Sequence, residues 1–356
     1  MGWPLTSADD AAPATLSALL ARHPFSAGDP LVISESGTLT RGDLRARVGE
    51  LAGTLRLAGL TPGQAVGNLV RPGPSPVVVM FAVWAAGGVY VPVNPRYTAQ
   101  EVASIDAEAR LSLLVGTQRD LDAHPVRAGL IRYSREAGAA AVIRPARTGL
   151  DPYPPDVAVL SRTSGTTGRP KAVPLRHGGT IDAIDASIAQ LRGPRRSPAA
   201  TPAGRRRMNL IPVPLALWGA IWNTLFSLRA GFGVVLLEEF ATARFASAVR
   251  EHEVRSTVLP PAMIAMPADD REVTDLSPLR MVRSITAPLS PSVARKFHEK
   301  FGVAVLTSYG QTELGGEIAG TTRPATAASS TATCEPGTSA TWTPTASCGL
   351  RAGSAT

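Results

Sequence analysis

The chain has 356 residues, 44% of them hydrophobic, a formal charge of +8 and two cysteines, Cys334 and Cys348. That length supports one large or two ordinary domains with a sizeable core, and so few cysteines exclude a disulfide framework or a cysteine metal cluster. Much of the charge sits between Arg192 and Arg207, which holds six arginines and no acid; lacking aromatic residues for base stacking, the run reads as a solvated loop, and no nucleic-acid partner is expected.

Asp9 and Asp10 interrupt the start of the chain, so no secretory leader is expected, and with the cysteine usage this points to a reducing cytoplasm. Residues 31–34 read as a strand, followed by a turn at Ser36-Gly37. Thr40 then reads as a helix N-cap with Asp43 in the first turn. Leu44, Val48, Leu51 and Leu55 follow at helical spacing, and Gly59 ends the helix. Residues 65–70 form a second expected strand, 76–87 an apolar helix and 89–93 a third strand. Thr98 caps another helix, and 111–115 is a further strand. Strands recur at 157–161, 208–213, 234–237, 257–259, 281–285 and 304–307. Residues 208–228 carry no charge, but Pro212, Pro214 and Asn223 divide them into a strand-like and a helix-like piece, which makes them buried core and not a membrane span. Strands that alternate with helices and are apolar throughout argue for an α/β domain with largely parallel sheets covered on both faces.

This pattern stops near Gly320. Residues 321–356 contain 29 Ala, Thr, Ser, Pro or Gly out of 36 and no Val, Ile or Phe. Such a segment cannot bury enough apolar surface to offset its ordering entropy. The expected organisation is therefore one domain over 1–320, with an Arg-rich loop at 192–207, and a low-complexity tail over 321–356.

Two motifs carry chemistry. Thr163-Ser164-Gly165-Thr166-Thr167-Gly168-Arg169-Pro170-Lys171 joins the expected strand 157–161 to a strand-like piece, 172–175. Its glycines let backbone N–H groups approach an anion, its hydroxyls donate hydrogen bonds, and Lys171 adds a mobile positive charge. The spacing is not that of a Walker A loop. Tyr309-Gly310-Gln311-Thr312-Glu313 follows the strand 304–307. It offers an aromatic face for a purine, a hydroxyl for a phosphate oxygen and a hard oxygen ligand for Mg²⁺.

Together the two motifs resemble the adenylate-forming superfamily of acyl-CoA synthetases, luciferases and peptide-synthetase adenylation domains. Leu39-Thr40, the string from Ala86 to Pro95 and Ser284-Ile285-Thr286-Ala287-Pro288-Leu289 resemble further family motifs in the same order, over roughly residues 15–320. The string from Asn94 to Thr98 leans toward acyl-CoA synthetases. The resemblance implies the large N-terminal domain of that fold, with stacked, mostly parallel sheets and helices. It also implies ATP, Mg²⁺ and coenzyme A as cofactors, a small-molecule carboxylate (a fatty or aryl acid) as substrate, and catalysis in two half-reactions. By the same resemblance, Thr163, Ser164, Gly165, Thr166, Thr167, Gly168 and Lys171 hold the β- and γ-phosphates. Thr286, Ala287, Pro288, Tyr309, Gly310 and Gln311 surround the adenine. Thr312 reaches the α-phosphate, and Glu313 with Thr163 holds the metal. Lys171, Thr312 and Glu313 are the catalytic candidates.

The sequence departs from the family in five ways. Pro214-Leu215-Ala216-Leu217-Trp218-Gly219 lacks the histidine usual near the acyl site, and Thr286 stands where glycine is usual. The family's ribose-binding Thr-Gly-Asp element is not found in 321–356, nor are its hinge and the small C-terminal domain with its catalytic lysine. Back-translated with GC-rich codons and read from the third base, 334–339 gives RTGDQ and 341–353 gives LDADGFLWVAGR, which resemble the ribose element and the hinge. The expectation drawn from this is an internal deletion that shifted the frame, with a genuine disordered linker of biased composition as the alternative. The expected function is activation of a carboxylic acid by ATP with transfer to coenzyme A, impaired by truncation; the alternative is a non-catalytic nucleotide- or acyl-binding remnant.

Overall fold

A computed structural model describes residues 15–163, 171–192, 206–312 and 315–320. The chain divides into two compact units, 1–240 and 241–356.

The first unit begins with β1 (Pro30–Ser34) and β2 (Gly37–Thr40), an antiparallel hairpin closed by a two-residue turn at Glu35-Ser36. Thr40 ends β2 and caps the helix Arg41–Leu57 in a full capping box with Asp43, as its spacing predicts. Such a cap is worth about 1 kcal/mol. Leu44, Val48, Leu51 and Leu55 form the buried stripe of that helix. Gly59, at φ +95°, supplies the left-handed residue that lets the chain turn away. Thr98 caps the helix Ala99–Glu108 in the same way, with Glu101 closing the box.

β3 (Ala65–Asn68), β4 (Val89–Pro92), β5 (Leu111–Gly116), β6 (Gly129–Tyr133), β7 (Ala140–Arg144), β8 (Val157–Thr163) and β9 (Lys171–Arg176) make a seven-stranded sheet in the order β7-β6-β5-β3-β4-β8-β9. Its interior pairs are parallel, and antiparallel strands close both edges. β3, β4 and β5 are buried along their whole length, the expected signature of parallel strands covered on both faces. The helix Ser75–Ala85 is buried through ten consecutive residues, Ser75 to Trp84. β10 (Met208–Ile211) and β11 (Gly233–Leu236) run parallel to each other and, through β11, to β1, giving the order β10-β11-β1-β2. The helix Trp218–Arg229 packs beside them, and its Arg229 makes a bidentate ion pair with Asp185 (2.8 and 3.0 Å) on the helix His177–Arg192.

A polar clamp joins the carboxyl ends of strands from both sheets. Ser34 Oγ and the Ser36 N–H both donate to Glu238 Oε1 at 2.9 Å. Arg135, just past β6, donates to Ser36 Oγ (3.1 Å) and to the Pro72 carbonyl (2.8 Å). Gly73, at φ +133°, sits against this cluster, where a Cβ would stand 2.7 Å from Ser36 Oγ, so only glycine fits.

In the second unit β12 (Ser256–Leu259), β13 (Met281–Ser284) and β14 (Ala304–Gln311) are parallel neighbours, and β15 (Gly316–Gly320) pairs antiparallel with the far end of β14. The helices Thr242–Glu251, Pro261–Asp269 and Pro291–Phe301 accompany them, with Phe245 and Phe297 completely buried.

Three expectations need revision. Asn223 does not interrupt 208–228: it lies inside the helix Trp218–Arg229, buried, and donates to the Gly219 carbonyl one turn back at 2.7 Å. Pro212 and Pro214 alone separate that helix from β10. β14 does not stop at Thr307 but runs on through Tyr309-Gly310-Gln311, because β15 offers those residues an antiparallel partner. β6, β7 and β15 stand where no strand was expected. Among the described residues no helix is long and apolar enough to cross a membrane. The Arg-rich run falls mostly outside the described residues; within them Arg206 pairs with Asp29.

Candidate active site

β8 and β9 flank the Ser164–Pro170 stretch. They pair antiparallel from Val157↔Arg176 to Thr163↔Lys171, so the two ends of the motif are cross-strand partners. β8 is rigidly seated: Val157 to Ser161 are buried, and the Trp84 indole N–H donates to the Ala158 carbonyl at 2.8 Å. Trp84 also makes edge contacts with Phe81, Tyr90 and His177. β9 is largely exposed and lies at the sheet edge, a place where a proline such as Pro174 is tolerated. In the last pair Thr163 is half-buried and Lys171 exposed. Arg162 makes a 3.0 Å ion pair with Glu108. Ser164, Gly165, Thr166, Thr167 and Gly168 lie outside the described residues.

At the opposite end of the hairpin His177 is structural. Its Nδ1 accepts from the Leu16 N–H at 3.1 Å, and its backbone N–H donates to the Asp156 carbonyl at 2.9 Å. Burial pushes its pKa below the ordinary value, partly opposed by the Asp156 charge.

In the second unit the remaining candidates gather at the carboxyl ends of β13 and β14. The last parallel pair is Ser284↔Thr307. Thr286, Ala287 and Pro288 follow β13 directly and are exposed. Tyr309 is 56% exposed on the continuation of β14, and its hydroxyl accepts from the Gln311 side-chain amide. Gly310 and Gln311 are exposed beside it. Thr312 is half-buried, and its carbonyl accepts from the Gly315 N–H at 3.0 Å. Arg283 Nη1 donates to Ser308 Oγ at 3.0 Å, tying the two strand ends together. Glu313 lies outside the described residues.

The structure thus brings Thr163 next to Lys171, and sets Thr286–Pro288 and Tyr309–Gln311 in the chain just past the paired strand ends Ser284 and Thr307. Ligands in open α/β sheets sit at such carboxyl ends. Two groups escaped the sequence reading. Ser284 Oγ is buried without a hydrogen-bond partner among the described residues, directly beneath the Thr286 turn. Trp218 and Trp222 hold indole N–H groups in the same condition, one turn apart on the helix after Pro214-Leu215-Ala216-Leu217. Only Trp spacing at i and i+4 could have signalled the second.

Among the described residues no three His, Cys, Asp or Glu side chains cluster to hold a metal. Of the two residues implicated for Mg²⁺, Thr163 is described and offers a hydroxyl, a hard oxygen donor of the kind that ion takes.

Comparison with known proteins identifies the family. Feruloyl-CoA synthase from an Amycolatopsis species is 31% identical over 290 residues, covering 79% of this chain and 56% of that enzyme. Tyrocidine synthase 3 of Brevibacillus parabrevis is 26% identical over 287 residues, 79% of this chain and 4% of that protein. The chain therefore spans about half the length of the feruloyl enzyme and a small part of the other. ATP-bound MatB from Rhodopseudomonas palustris shares the fold at a TM-score of 0.71 and 21% identity, over 88% of this chain and 62% of that one. The AMP-binding enzyme family profile matches residues 22–349, and the chain belongs to that adenylate-forming, acyl-CoA ligase-like family.

Proposed function

We propose that the chain binds ATP with Mg²⁺ and activates a small carboxylic acid, aryl or fatty, as its acyl-adenylate, with coenzyme A as the thiol acceptor. In the first half-reaction the carboxylate oxygen attacks the α-phosphorus and pyrophosphate leaves. In the second, the thiol attacks the acyl carbon and AMP leaves. Displacement at phosphorus asks mainly for positioning and charge neutralisation. Lys171 and the hydroxyls and backbone N–H groups of 163–168 bind the β- and γ-phosphates. Thr312 orients the α-phosphate, Tyr309 and 286–288 hold the adenine, and Thr163 with Glu313 supplies oxygen ligands to the metal.

The observation that supports this reading most is the in-register closure of Thr163 on Lys171 around the phosphate-type string, within a family match covering 22–349. The preference for coenzyme A rests on the feruloyl-CoA synthase relative and on the Asn94–Thr98 string.

Titration calorimetry of the full chain with ATP and Mg²⁺, beside a Lys171→Ala/Glu313→Ala double variant, tests it. Binding by the parent and loss in the variant is the expected result; a folded parent that does not bind ATP overturns the reading. Pyrophosphate release over a panel of cinnamic and fatty acids then identifies the acid. ATP binding without acid-dependent release reduces the function to nucleotide binding.

A further inference from the structure

Residues 15–25 lie as a strap on the first unit. Their one helix, Ala18–Ala21, is a single turn with no side-chain cap, too short to hold its shape alone. It packs against the helices Arg41–Leu57 and Trp218–Arg229, and Leu16, Leu19, Leu20, His23 and Phe25 are buried. Two histidines anchor it. The Leu16 N–H donates to His177 Nδ1 at 3.1 Å. The Phe25 N–H donates to His23 Nδ1 at 3.3 Å, and His23 Nε2 faces the Phe232 carbonyl at 3.2 Å. Arg41 adds a tie of another kind, donating from Nη2 to the Ala21 carbonyl at 2.8 Å.

An imidazole accepts at Nδ1 only while neutral, with its proton on Nε2. The next proton goes to Nδ1 and turns each acceptor into a donor aimed at a backbone N–H. Burial disfavours that step at both rings, pushing the His23 pKa from 6.5 down to about 4 and the His177 pKa below its ordinary value. Of the charged groups, Arg41 faces His23 and opposes its protonation, while Asp156 faces His177 and favours it. Asp156 is itself paired with Arg176. Lifting the strap returns His23 to water and takes the Leu16 N–H away from His177. The open form therefore binds protons more tightly than the closed one, and acid shifts the balance toward it. The closed form is fully favoured above pH 6.5 and loses ground as pH falls.

We infer that residues 15–25 are an acid-released strap, latched at His177 and His23 while both rings are neutral and let go when they take up protons. Release uncovers Leu16, Leu19 and Leu20 together with the side of the helix Trp218–Arg229 on which the strap's short helix packs. The helix Arg41–Leu57 contains no histidine and keeps its own capping box and buried stripe, so it stays folded when the strap lifts. The His177 latch sits at the end of the β8–β9 hairpin opposite Thr163↔Lys171, apart from the candidate site.

The test is amide hydrogen exchange read by mass spectrometry on the full chain at pH 7.5, 6 and 5, corrected for intrinsic exchange rates. It compares the parent, His177→Asn and His177→Ala, with the helix Arg41–Leu57 as internal reference. In the parent, protection of 16–25 is expected to fall by about tenfold or more from pH 7.5 to pH 5 while the reference helix keeps its own. Asparagine offers an oxygen to the Leu16 N–H but takes up no proton, so its decline should be shallower than the parent's. Alanine offers no acceptor, and its strap should already exchange faster at pH 7.5. Strap protection that stays level across this range, or that falls only in step with the reference helix, overturns the inference. So does an asparagine variant that declines as steeply as the parent. Should the His177 variants fail to fold, the comparison of the two segments within the parent decides.

Discussion

The β8–β9 hairpin and the β13–β14 pair both present candidate site residues at strand ends, but they do so by opposite means. The hairpin is antiparallel, and its last pair, Thr163↔Lys171, encloses one contiguous stretch of chain. The β13–β14 pair is parallel, and beyond Ser284↔Thr307 it delivers two segments more than twenty residues apart in sequence, side by side. A hairpin end therefore makes a site from neighbours in sequence, whose composition can be tuned as one string. A parallel end makes a site from strangers, and its geometry depends on the sheet beneath. The two regions should respond differently to damage: the hairpin to loss of its anchor, the parallel end to loss of its register.

The largest effect is expected at Trp84. Replacing it by Ala removes the bond to the Ala158 carbonyl and the ring contacts with Phe81, Tyr90 and His177. The cost should be about 3–5 kcal/mol, read from urea unfolding. A loss below about 1 kcal/mol would show that β8 is held by its ladder alone.

The next is pH dependence confined to the first unit. His23 Nδ1 accepts from the Phe25 N–H (3.3 Å), and Nε2 donates to the Phe232 carbonyl (3.2 Å), so neutral imidazole meets both neighbours. Burial pushes its pKa from 6.5 down to about 4. Because the folded value is the lower one, the unfolded chain takes up more protons between those limits. This stability is complete above pH 6.5 and is lost as pH falls toward 4, to an extent on the order of 3 kcal/mol. His177 acts in the same direction. Denaturation at pH 7, 6 and 5 should show the decline in the parent and a shallower one in His23→Gln. In the second unit the lowered groups are Asp270, held down first by the Thr242 hydroxyl, and Asp275, held down first by the Ser277 N–H. Their contributions should fade only in more acid solution.

A smaller effect is expected from Arg283→Met, which removes the bond to Ser308 Oγ. Stability should fall by about 1 kcal/mol, while nucleotide binding weakens more than that loss alone explains. Equal binding by parent and variant would show that the strand ends need no such tie. The smallest is Glu108→Gln, which breaks a half-exposed ion pair with Arg162 and should cost a few tenths of a kcal/mol in thermal unfolding.

The same contrast explains what could be read from the residues. The phosphate-type string was legible because one stretch of chain carries it whole. The helix starts at Thr40 and Thr98 were legible because a capping box is local chemistry, and both are present. The apolar runs of β3, β4 and β5 announced a doubly covered sheet. The extension of β14 through Gln311 was hidden, since Gly310 argues for a turn and only β15 makes it a strand. β7 was hidden for a related reason: its burial is slight, and its partner β6 supplies the order. Asn223 looked like a breaker until its side chain found the Gly219 carbonyl. The left-handed backbone of Thr286 could not be read from its residue type, because threonine by itself argues for extended chain.

The clamp at Glu238 also carries a consequence for the order in which the protein is made. Ser34 and Glu238 are 204 residues apart, and β1 takes β11 as its parallel partner. At a ribosomal pace of roughly 5–20 residues per second, the first strand emerges roughly 10–40 s before the segment that completes its sheet. Until then the β1–β2 hairpin offers Leu31 and Val32, fully buried in the finished fold, to whatever is near. The amino-terminal hairpin is thus a stretch of the nascent chain that gains from a chaperone's shelter, and a faster or slower passage through codons 35–233 should change the soluble yield without changing a single residue.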